Sequence, residues 1–554
     1  MAAAAAPAAG QELSVAIVGA GFSGLCMAIQ LKRAGIQDFT IFEAADAVGG
    51  TWRDNTFPGC ACDIPSVLYC FSFEPYPFTR HYSGQPEILR YQQHCVTKYG
   101  LAPHIRLSTR VTAAAFDAGS GTWAVTTAAG DTVTARVLVL ARGGLAVPSV
   151  PSFPGMDTFP GAAFHTARWD HSVELTDKRV AVVGTGASAI QIVPAIQPHV
   201  ASLTLFQRTP PWVMPRKARL PGWAAPAEGC SSWYNKVQRR RWFLGMELLL
   251  GGALTRNKQG ILKRVEKVGL AHLQEQVPDH QLRAALAPSY SVGCKRILAS
   301  DEYYPALCQP NVQVVTSAVK EVHGIVIIAE DGTEAEVDVI IYATGFDLTA
   351  THHGIDITAP AAGAGVAAAA AGSHAQQTLN FADVMGDKPR AFYGLGVAGF
   401  PNLFMINGPN TGLGHNSMIY MAECGVKFIV KLLRRMRRQR LKSIQVTAAA
   451  QQQFNKELQA RLRSSVWLAG GCGSWYVDRD GEGSSVLWPG LCLEYWWRTC
   501  VAGPRAGDWA GAKLDKPVPA APGASAAAAA AAAVTADVRR KESWGSERSD
   551  KKLL

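Results

Sequence analysis

SVAIVGAGFSGLCMAIQLKRAGIQDFTIFEA, residues 14–44, is the stretch that decides the fold of this 554-residue chain. It has an apolar strand, a glycine-rich turn, a helical pattern and a second apolar strand, which is the order of a βαβ unit. Gly19 permits the tight turn, Gly21 lets a pyrophosphate approach the backbone, and Gly24 lets helix and strand pack closely. Glu43 ends the second strand, where a carboxylate can bind both ribose hydroxyls. The stretch therefore predicts a dinucleotide site at a helix N-terminus, where free N–H groups favour phosphate.

A second stretch, RVAVVGTGASAIQIVPAIQPHVASLTLFQRT (179–209), has the same order of elements around the loop GTGASA. Arg208 lies 24 residues after the first glycine of this loop, the offset that Glu43 has in the first unit. A carboxylate would repel a ribose 2′-phosphate, whereas a guanidinium pairs with it. The second site is therefore predicted to prefer NADP(H), with a surface arginine unrelated to the ligand as the alternative.

Two dinucleotide units in one chain predict FAD in the first and NADPH in the second. The stretch GGTW (49–52) supports this, because a glycine pair suits close passage of the backbone along a flavin. With a third apolar strand at 337–347, the predicted class is α/β, with two Rossmann-like domains, the NADP domain inserted into the FAD domain. The predicted boundaries are a flexible N-terminus at 1–13, the FAD-binding domain at 14–155 and 346–502, the NADP-binding domain at 156–345 with a helical insertion at about 222–285, and a disordered Ala/Pro-rich tail at 503–554.

Composition excludes several classes of protein. No run reaches the roughly 18–20 apolar residues of a membrane span. WFLGMELLLGGAL (242–254) is predicted to be a buried helix, with a membrane-surface helix as the alternative. The N-terminal residues lack the features of a secretory signal, so a cytoplasmic location is expected. The net charge of +11 comes without a recognised binding module, so no nucleic-acid partner is predicted.

The twelve cysteines show no CxxC pair. Cys60 and Cys62 are too close together for the usual zinc spacing, and no histidine cluster completes a site, so no metal is predicted and the thiols are expected to be reduced. Disulfide reductases share the double dinucleotide layout but need a redox cysteine pair beside the flavin. CACD (60–63) lacks their CxxxxC spacing, which argues against that class.

FPGAAFHTARWD (159–170) matches the pattern FxGxxxHxxxW[P/D] that marks type I Baeyer–Villiger monooxygenases. The chain resembles this family of class B flavoprotein monooxygenases, which is related to the flavin-containing monooxygenases, over roughly residues 14–500. The resemblance implies conversion of a small-molecule ketone and O2 to an ester or lactone, with FAD and NADPH, through a flavin C4a-peroxide. It also implies that the motif is a conformational link between domains, so His165 is not interpreted as a general base.

The resemblance implies that Arg296, in CKRIL, is the active-site arginine and that Asp63 orients it and balances its charge. A peroxide anion needs a fixed positive charge, and arginine stays charged at any working pH. A phosphate contact or a surface ion pair is the alternative for Arg296.

The remaining cofactor contacts are also implied by the resemblance. On the FAD side they are Glu43, Thr51, Trp52, Asp63, Tyr69, Val111 and Met418. On the NADP side they are Gly184, Thr185, Gly186, Ala187, Ser188, Ala189 and Gln191 around the pyrophosphate, and Arg208, Thr209 and Lys295 at the 2′-phosphate. Trp475, in GSWY, resembles the mobile tryptophan that covers the nicotinamide, with a buried core tryptophan as the alternative.

Two other functions remain open at this point. The first is a flavin-containing monooxygenase that oxidises amines or sulfides, a chemistry that does not need an arginine at position 296. The second is a catalytically decayed FAD- and NADP-binding protein, against which the intact glycine loops, Arg296 and Asp63 argue. The sequence does not choose the ketone or the oligomeric state.

Overall fold

The computed structural model describes residues 12–216, 232–348, 354–361, 378–505 and 507–513. All described residues except Lys513 belong to one compact unit. Its strands are β1 (Glu12–Val18), β2 (Phe39–Phe42), β3 (Ile105–Arg106), β4 (Val111–Asp117), β5 (Thr122–Thr127), β6 (Thr132–Leu140), β7 (Ala162–His165), β8 (Arg179–Val183), β9 (Ser202–Phe206), β10 (Val213–Met214), β11 (Leu298–Ala299), β12 (Val312–Val315), β13 (Val319–His323), β14 (Val326–Ala329), β15 (Glu334–Glu336), β16 (Val339–Tyr342), β17 (Asp356–Pro360), β18 (Thr378–Asn380), β19 (Leu403–Met405), β20 (Leu441–Val446) and β21 (Trp509–Lys513).

Fourteen α-helices accompany these strands in the part of the chain that the structure describes. They are α1 (Phe22–Arg33), α2 (Thr51–Asp54), α3 (Gln85–Lys98), α4 (Ala189–Ile196), α5 (Ser232–Gly245), α6 (Gly252–Thr255), α7 (Gln259–Gln276), α8 (His280–Leu286), α9 (Tyr303–Leu307), α10 (Phe381–Met385), α11 (Met418–Gln439), α12 (Ala448–Arg463), α13 (Val466–Ala469) and α14 (Cys492–Trp496). Two π-helical segments, Met246–Gly251 and Trp497–Ala502, continue α5 and α14.

The first sheet is built around β1. Its strand order is β18-β17-β4-β5-β6-β1-β2-β3, with β19 paired to β6. The central strands β1, β2, β6 and β19 run parallel, which requires helical crossovers such as α1 between β1 and β2. α1 packs against the long helix α11, and their facing side chains form the largest apolar core.

The second sheet is wholly parallel, in the order β12-β9-β8-β16-β7. Its central strands are almost entirely apolar because both faces of a parallel sheet are covered. α4 and α9 contribute to the apolar cluster on this sheet. The strands before residue 141 and β17, β18 and β19 join the first sheet, whereas those between Ala162 and Tyr342 do not, and β20 and β21 form a separate two-stranded sheet. The predicted fold class is confirmed; the domain boundaries themselves stay predictions.

The segment 242–254 is helical, but the prediction that it is buried is wrong for one face. Leu244, Leu248 and Leu249 are 45%, 60% and 66% exposed, whereas Glu247 and Leu254 are buried. The π-helical turn rotates the face that packs inward, so a polar side chain is buried and leucines are left outside. Among the described helices, none is long and apolar enough to cross a membrane. The start of the predicted insertion, residues 222–231, lies outside the described residues.

Both predicted terminal segments contain a strand. β1 begins at Glu12, inside the predicted flexible segment 1–13, and β21 lies inside the predicted tail 503–554 and pairs with β20. The strand β21 contradicts the disorder predicted for these residues. Its Trp509 ring is buried 6.1 Å from the ring of Phe392, and this burial stabilises the strand although the surrounding composition is typical of disorder. Residues 1–11 and 514–554 lie outside the described part of the chain.

The expectation that all cysteines are reduced is also wrong. Cys294 and Cys472 form a disulfide across 178 residues of sequence. It joins the residue before Lys295 to the loop that carries Trp475. Sequence spacing could not reveal this bond, because the two half-cystines meet only through packing of distant segments.

Candidate active site

The first glycine loop has the shape that a pyrophosphate needs. Gly19 has φ +106°, and a Cβ on it would lie 2.8 Å from the carbonyl oxygen of Ala141. A Cβ on Gly24 would lie 1.9 Å from the carbonyl oxygen of Gly19. Gly21 precedes α1, and the first turn of this helix carries no acidic residue. The N–H groups of that turn can therefore serve an anion, which the helix dipole favours.

Glu43 is held beside this loop. One carboxylate oxygen accepts a hydrogen bond from the N–H of Ala20 at 2.7 Å, and the other accepts from the N–H of Ala45 at 3.1 Å. Arg53 lies 3.2 Å from the same group and neutralises its charge. Oε1 already accepts bonds from both Ala45 and Arg53, whereas Oε2 accepts one and can accept another from a ribose hydroxyl.

The other predicted FAD contacts lie at the starts of helices and strands. Thr51 and Trp52 open α2, and the indole N–H of Trp52 donates to the hydroxyl of Tyr69 at 3.0 Å. Burial raises the pKa of Tyr69, so this hydroxyl remains protonated. Met418 is the first residue of α11, and Val111 is buried at the start of β4. Trp52 and Tyr69 are thus brought into contact, whereas Val111 belongs to the core cluster around β4 and β5.

The second glycine loop repeats the geometry of the first. Gly184 also has φ +106°, and a Cβ on it would lie 2.6 Å from the carbonyl oxygen of Ala343. A Cβ on Gly186 would meet no described atom within 4 Å, so open space faces the backbone there. Ser188 and Ala189 begin α4, and the side chain of Ser188 makes no capping bond to the described residues. The N-terminal N–H groups of α4 therefore fit a second pyrophosphate, with Thr185 and Ala187 between the glycines and the helix.

Arg208 and Lys295 form a pair of cations. Burial lowers the pKa of Lys295, and the nearby charge of Arg208 lowers it further. The ammonium lies 5.2 Å from the centre of the Tyr290 ring. The hydroxyl of Thr185 donates to the carbonyl oxygen of Thr209 at 3.0 Å, which fixes the chain next to Arg208. Two cations that repel each other are stabilised by an anion between them, as a 2′-phosphate would be.

Gln191 has a different environment from the one predicted. Its side-chain oxygen accepts the N–H of Ala61 at 2.9 Å, and its backbone oxygen would lie 2.7 Å from a Cβ on Gly59. The side chain therefore ties α4 to the segment that leads to Asp63. This contact with the first glycine-loop domain could not be anticipated from a motif that describes only phosphate binding.

Asp63 and Arg296 form a two-pronged ion pair across 233 residues of sequence. The guanidinium donates from Nε to Oδ2 at 2.5 Å and from Nη2 to Oδ1 at 2.7 Å. Burial alone would raise the pKa of Asp63, but the charge and hydrogen bonds of Arg296 outweigh it and lower the pKa. Burial likewise opposes the charge of Arg296, and Asp63 more than offsets it, so the pKa of Arg296 is raised. The side chains remain 28% and 23% exposed, so the pair borders an opening.

Sequence reasoning missed two residues at this pair. Tyr476 is fully buried, and its raised pKa is caused by burial and opposed by the charge of Arg296. Arg216, 5.1 Å from the Tyr82 ring, adds a second positive charge that lowers the pKa of Asp63. Tyr476 is the last residue of the GSWY stretch, so its position in that motif could have identified it. Nothing in the sequence singled out Arg216.

Trp475 is not a core tryptophan. Its side chain is 50% exposed, although the ring of its neighbour Tyr476 lies 4.3 Å away and is buried. The disulfide at Cys472 holds the start of the same loop against Cys294. Trp475 is therefore an exposed indole on a tethered loop, one residue from a tyrosine beside Arg296.

The motif at 159–170 contacts both the second sheet and the segment around α2. A Cβ on Gly161 would lie 2.2 Å from the carbonyl oxygen of Asp338, which lets β7 pair with β16. His165 is buried, and its Nδ1 accepts the N–H of Ala167 at 3.0 Å. Beyond the strand, Arg168 approaches Asp54 at 3.8 Å. The histidine therefore shapes a turn, and the motif's end contacts the segment that follows Trp52.

Comparisons with known proteins agree with this geometry. Residues 12–228 match the family model described as flavin-binding monooxygenase-like. A protein named Baeyer–Villiger monooxygenase from Streptomyces coelicolor is 43% identical over 93% of this chain and 95% of its own length. A protein of the same name from Pseudomonas aeruginosa is 41% identical over 88% of this chain and 90% of its own length.

Among solved structures, an oxidized steroid monooxygenase bound to NADP has a TM-score of 0.76 and 27% identity, over 91% of this chain and 100% of the other. A complex of OTEMO with FAD and NADP has a TM-score of 0.75 and 25% identity, over 90% of this chain and 99% of the other. The resemblance drawn from the 159–170 motif is thereby confirmed. Two glycine loops, an arginine–aspartate ion pair and relatives at 41% and 43% identity lead to one conclusion: the chain belongs to the Baeyer–Villiger monooxygenases, which are NADPH-dependent flavoprotein enzymes.

Proposed function

We propose that this protein oxidises a ketone with O2, inserting one oxygen atom next to the carbonyl to give an ester or lactone. The observation that carries the proposal is the ion pair of Asp63 and Arg296, which holds a fixed positive charge at an opening beside Trp475 and Tyr476. The relatives named Baeyer–Villiger monooxygenase support the same chemistry.

The residues present fit FAD and NADP. Neither Gly19 nor Gly24 has room for a Cβ, and both loops end at a helix N-terminus that can receive phosphate. Glu43 is the proposed ribose ligand on the FAD side, and Arg208 with Lys295 the proposed 2′-phosphate ligands on the NADP side. When bound, the nicotinamide supplies a hydride and the flavin supplies the activation of oxygen.

Arg296 acts as the electrostatic group. Negative charge that develops on the reacting oxygen atoms is stabilised by a guanidinium that remains protonated, because its pKa is raised by Asp63. Asp63 uses both oxygens on this one partner and so fixes the plane of the guanidinium. Tyr476 is buried beside the pair, and the exposed Trp475 is the residue proposed to cover the nicotinamide.

Arg296→Ala tests this role. The variant should retain bound flavin and NADPH oxidation but form no ester, because only the oxygen-transfer step needs the charge. Ester would be followed by mass spectrometry and NADPH by absorbance in the same reaction. Arg179→Ala is the matched control, since Arg179 makes a similar pair with Asp338 in the second sheet. Ester formation by Arg296→Ala at the wild-type yield per NADPH would refute the assignment.

Oxidation of sulfides or amines is the alternative that the same variant separates. Transfer of oxygen to sulfur does not require a stabilised anion, so an enzyme of that class would keep its sulfoxide yield without Arg296. A panel of ketones and sulfides, run with both enzymes, therefore distinguishes the two chemistries. If Arg296→Ala loses ester formation but keeps its sulfoxide yield, the Asp63–Arg296 pair serves ketone oxidation.

A further inference from the structure

Three potential metal ligands meet inside the protein, away from the Asp63–Arg296 pair. Glu247 lies in the π-helical segment of the insertion, His415 lies just before α11, and Cys492 is the first residue of α14. All three are buried, and one donor atom of each lies within 4.8 Å of the other two. Sequence analysis predicted no metal because these residues are far apart in the chain.

The imidazole of His415 lacks an ordinary hydrogen bond. Its Nε2 is 3.8 Å from Oε2 of Glu247 and 4.0 Å from Sγ of Cys492. An N–H···O bond is about 2.7–3.2 Å long. Its Nδ1 has no hydrogen-bond partner among the described residues, and the side chain is 0% exposed. A buried polar ring left in this state is costly unless a further group binds it.

The donor set matches zinc. Zn²⁺ binds imidazole nitrogen, carboxylate oxygen and thiolate sulfur at about 2.0–2.3 Å, which places neighbouring ligand atoms roughly 3.3–3.8 Å apart. The observed 3.8 and 4.0 Å would shorten by up to about half an ångström on binding, and the donor atoms of all three residues lie within 4.8 Å of one another. One carboxylate and one thiolate also balance the charge of the ion. Calcium and magnesium prefer oxygen ligands alone.

The surroundings fit the imidazole ring closely and orient the carboxylate. A Cβ on Gly251 would lie 2.5 Å from Nε2 of His415, so a larger residue there would fill the position beside the ring. The side-chain amide of Asn416 donates to Oε2 of Glu247 at 2.8 Å. Outer hydrogen bonds of this kind hold metal ligands in their binding orientation.

We propose that Glu247, His415 and Cys492 bind one Zn²⁺ ion, with a water molecule as the fourth ligand. On binding, the Cys492 thiol releases its proton to solvent and forms a Zn–S bond, and no electron is transferred. The ion ties the helical insertion to the segment three residues before Met418. Its role is structural, since it joins the π-helical segment, the residues before α11 and the start of α14.

The first test is the metal content and coordination of the full-length, tag-free protein grown with added zinc. Elemental analysis after dialysis against a mild chelator should find about one zinc per chain. X-ray absorption at the zinc edge should show one sulfur at about 2.3 Å and nitrogen or oxygen neighbours at about 2.0–2.1 Å. Protein free of zinc, or zinc without a sulfur neighbour, would overturn the proposal.

Variants separate this site from adventitious binding. Cys492→Ser and Glu247→Gln should each lower the zinc content at least tenfold, whereas Cys95→Ser, a second buried cysteine outside the cluster, should keep it. If Cys492→Ser does not fold, cobalt substitution of the wild-type protein tests whether the metal is bound by a cysteine. A cobalt–thiolate spectrum at wavelengths beyond the flavin absorption is then expected, and its absence would contradict the site.

Discussion

Asp63→Asn should uncouple NADPH oxidation from ester formation. The substitution keeps the size of the side chain, but an amide offers one oxygen where the carboxylate offers two. Arg296 therefore loses one of its hydrogen bonds, at 2.5 Å or 2.7 Å, and meets an N–H group instead. A hydrogen bond to a charged group contributes about 1.5–3 kcal/mol.

The size of the loss in ester-forming rate follows from the solvent exposure of the Asp63–Arg296 pair. Because Arg296 and Asp63 are 28% and 23% exposed, water replaces part of the lost bond, and the lower part of that range applies. A loss of about 1.5–2 kcal/mol reduces the ester-forming rate roughly ten- to thirty-fold if the reaction needs the paired orientation of Arg296. NADPH oxidation should continue, with hydrogen peroxide appearing in place of ester.

The assay measures NADPH, ester and hydrogen peroxide in one reaction vessel. Asp338→Asn is the matched control, because Asp338 accepts Nη2 of Arg179 at 2.8 Å in a pair of comparable exposure outside the site. This control should keep the wild-type ratio of ester to NADPH. An unchanged ratio in Asp63→Asn, or an equal loss in Asp338→Asn, would refute the reasoning.

The pH dependence follows from the sign of the pKa shift. The pKa of Asp63 is lowered in the folded protein, so the ion pair stabilises the fold above the unfolded value of about 3.9. That contribution is lost as the pH falls through the lower, folded pKa. Between about pH 5 and pH 9, the ratio of ester to NADPH should therefore show no step caused by Asp63.

Three further predictions concern the NADP side and the disulfide. Arg208→Ala should raise KM for NADPH roughly ten- to hundred-fold and leave KM for NADH unchanged, since about 1.5–3 kcal/mol of phosphate binding is lost. Initial rates with both nucleotides measure this difference. Equal effects on NADPH and NADH would contradict a 2′-phosphate contact. Gly186→Ala should keep the wild-type melting temperature and flavin content, because no described atom meets the new methyl group. It should raise KM for NADPH. An unchanged KM would show that the pyrophosphate does not bind beside Gly186. Peptide mapping without reductant should find Cys294 linked to Cys472, and Cys472→Ser should lower stability by about 2–4 kcal/mol in denaturant unfolding; two free thiols at these positions would disprove the bond.

The glycine loops could be predicted from the sequence alone because all their parts are local. A strand, a turn that needs Gly19 or Gly184, and a helix of apolar period lie within about thirty residues, so periodicity and backbone freedom suffice. The offset of Glu43 and Arg208 from these glycines is equally local. Their roles at the ribose and the 2′-phosphate stay predictions, although Glu43 accepts the N–H of Ala20 and Arg208 lies near Lys295.

Segments whose structure depends on distant partners were predicted less well. Leu248 and Leu249 have the composition of a buried helix, yet the π-helical turn leaves them exposed. β21 lies in a region of disorder-prone composition, yet burial of one indole, Trp509, accompanies an ordered strand there. In both cases the tertiary structure, and not the local composition, decided which side chains are buried.

The residue types at positions 63 and 296 were visible in the chain, but their contact across 233 residues was decided by tertiary structure. The same holds for the disulfide of Cys294 and Cys472, and for Glu247 beside His415. Local patterns determine which strands and helices form, because those patterns act within a few turns of backbone. Side chains from distant segments meet only when packed sheets and helices bring them together, and no spacing along the chain encodes that distance.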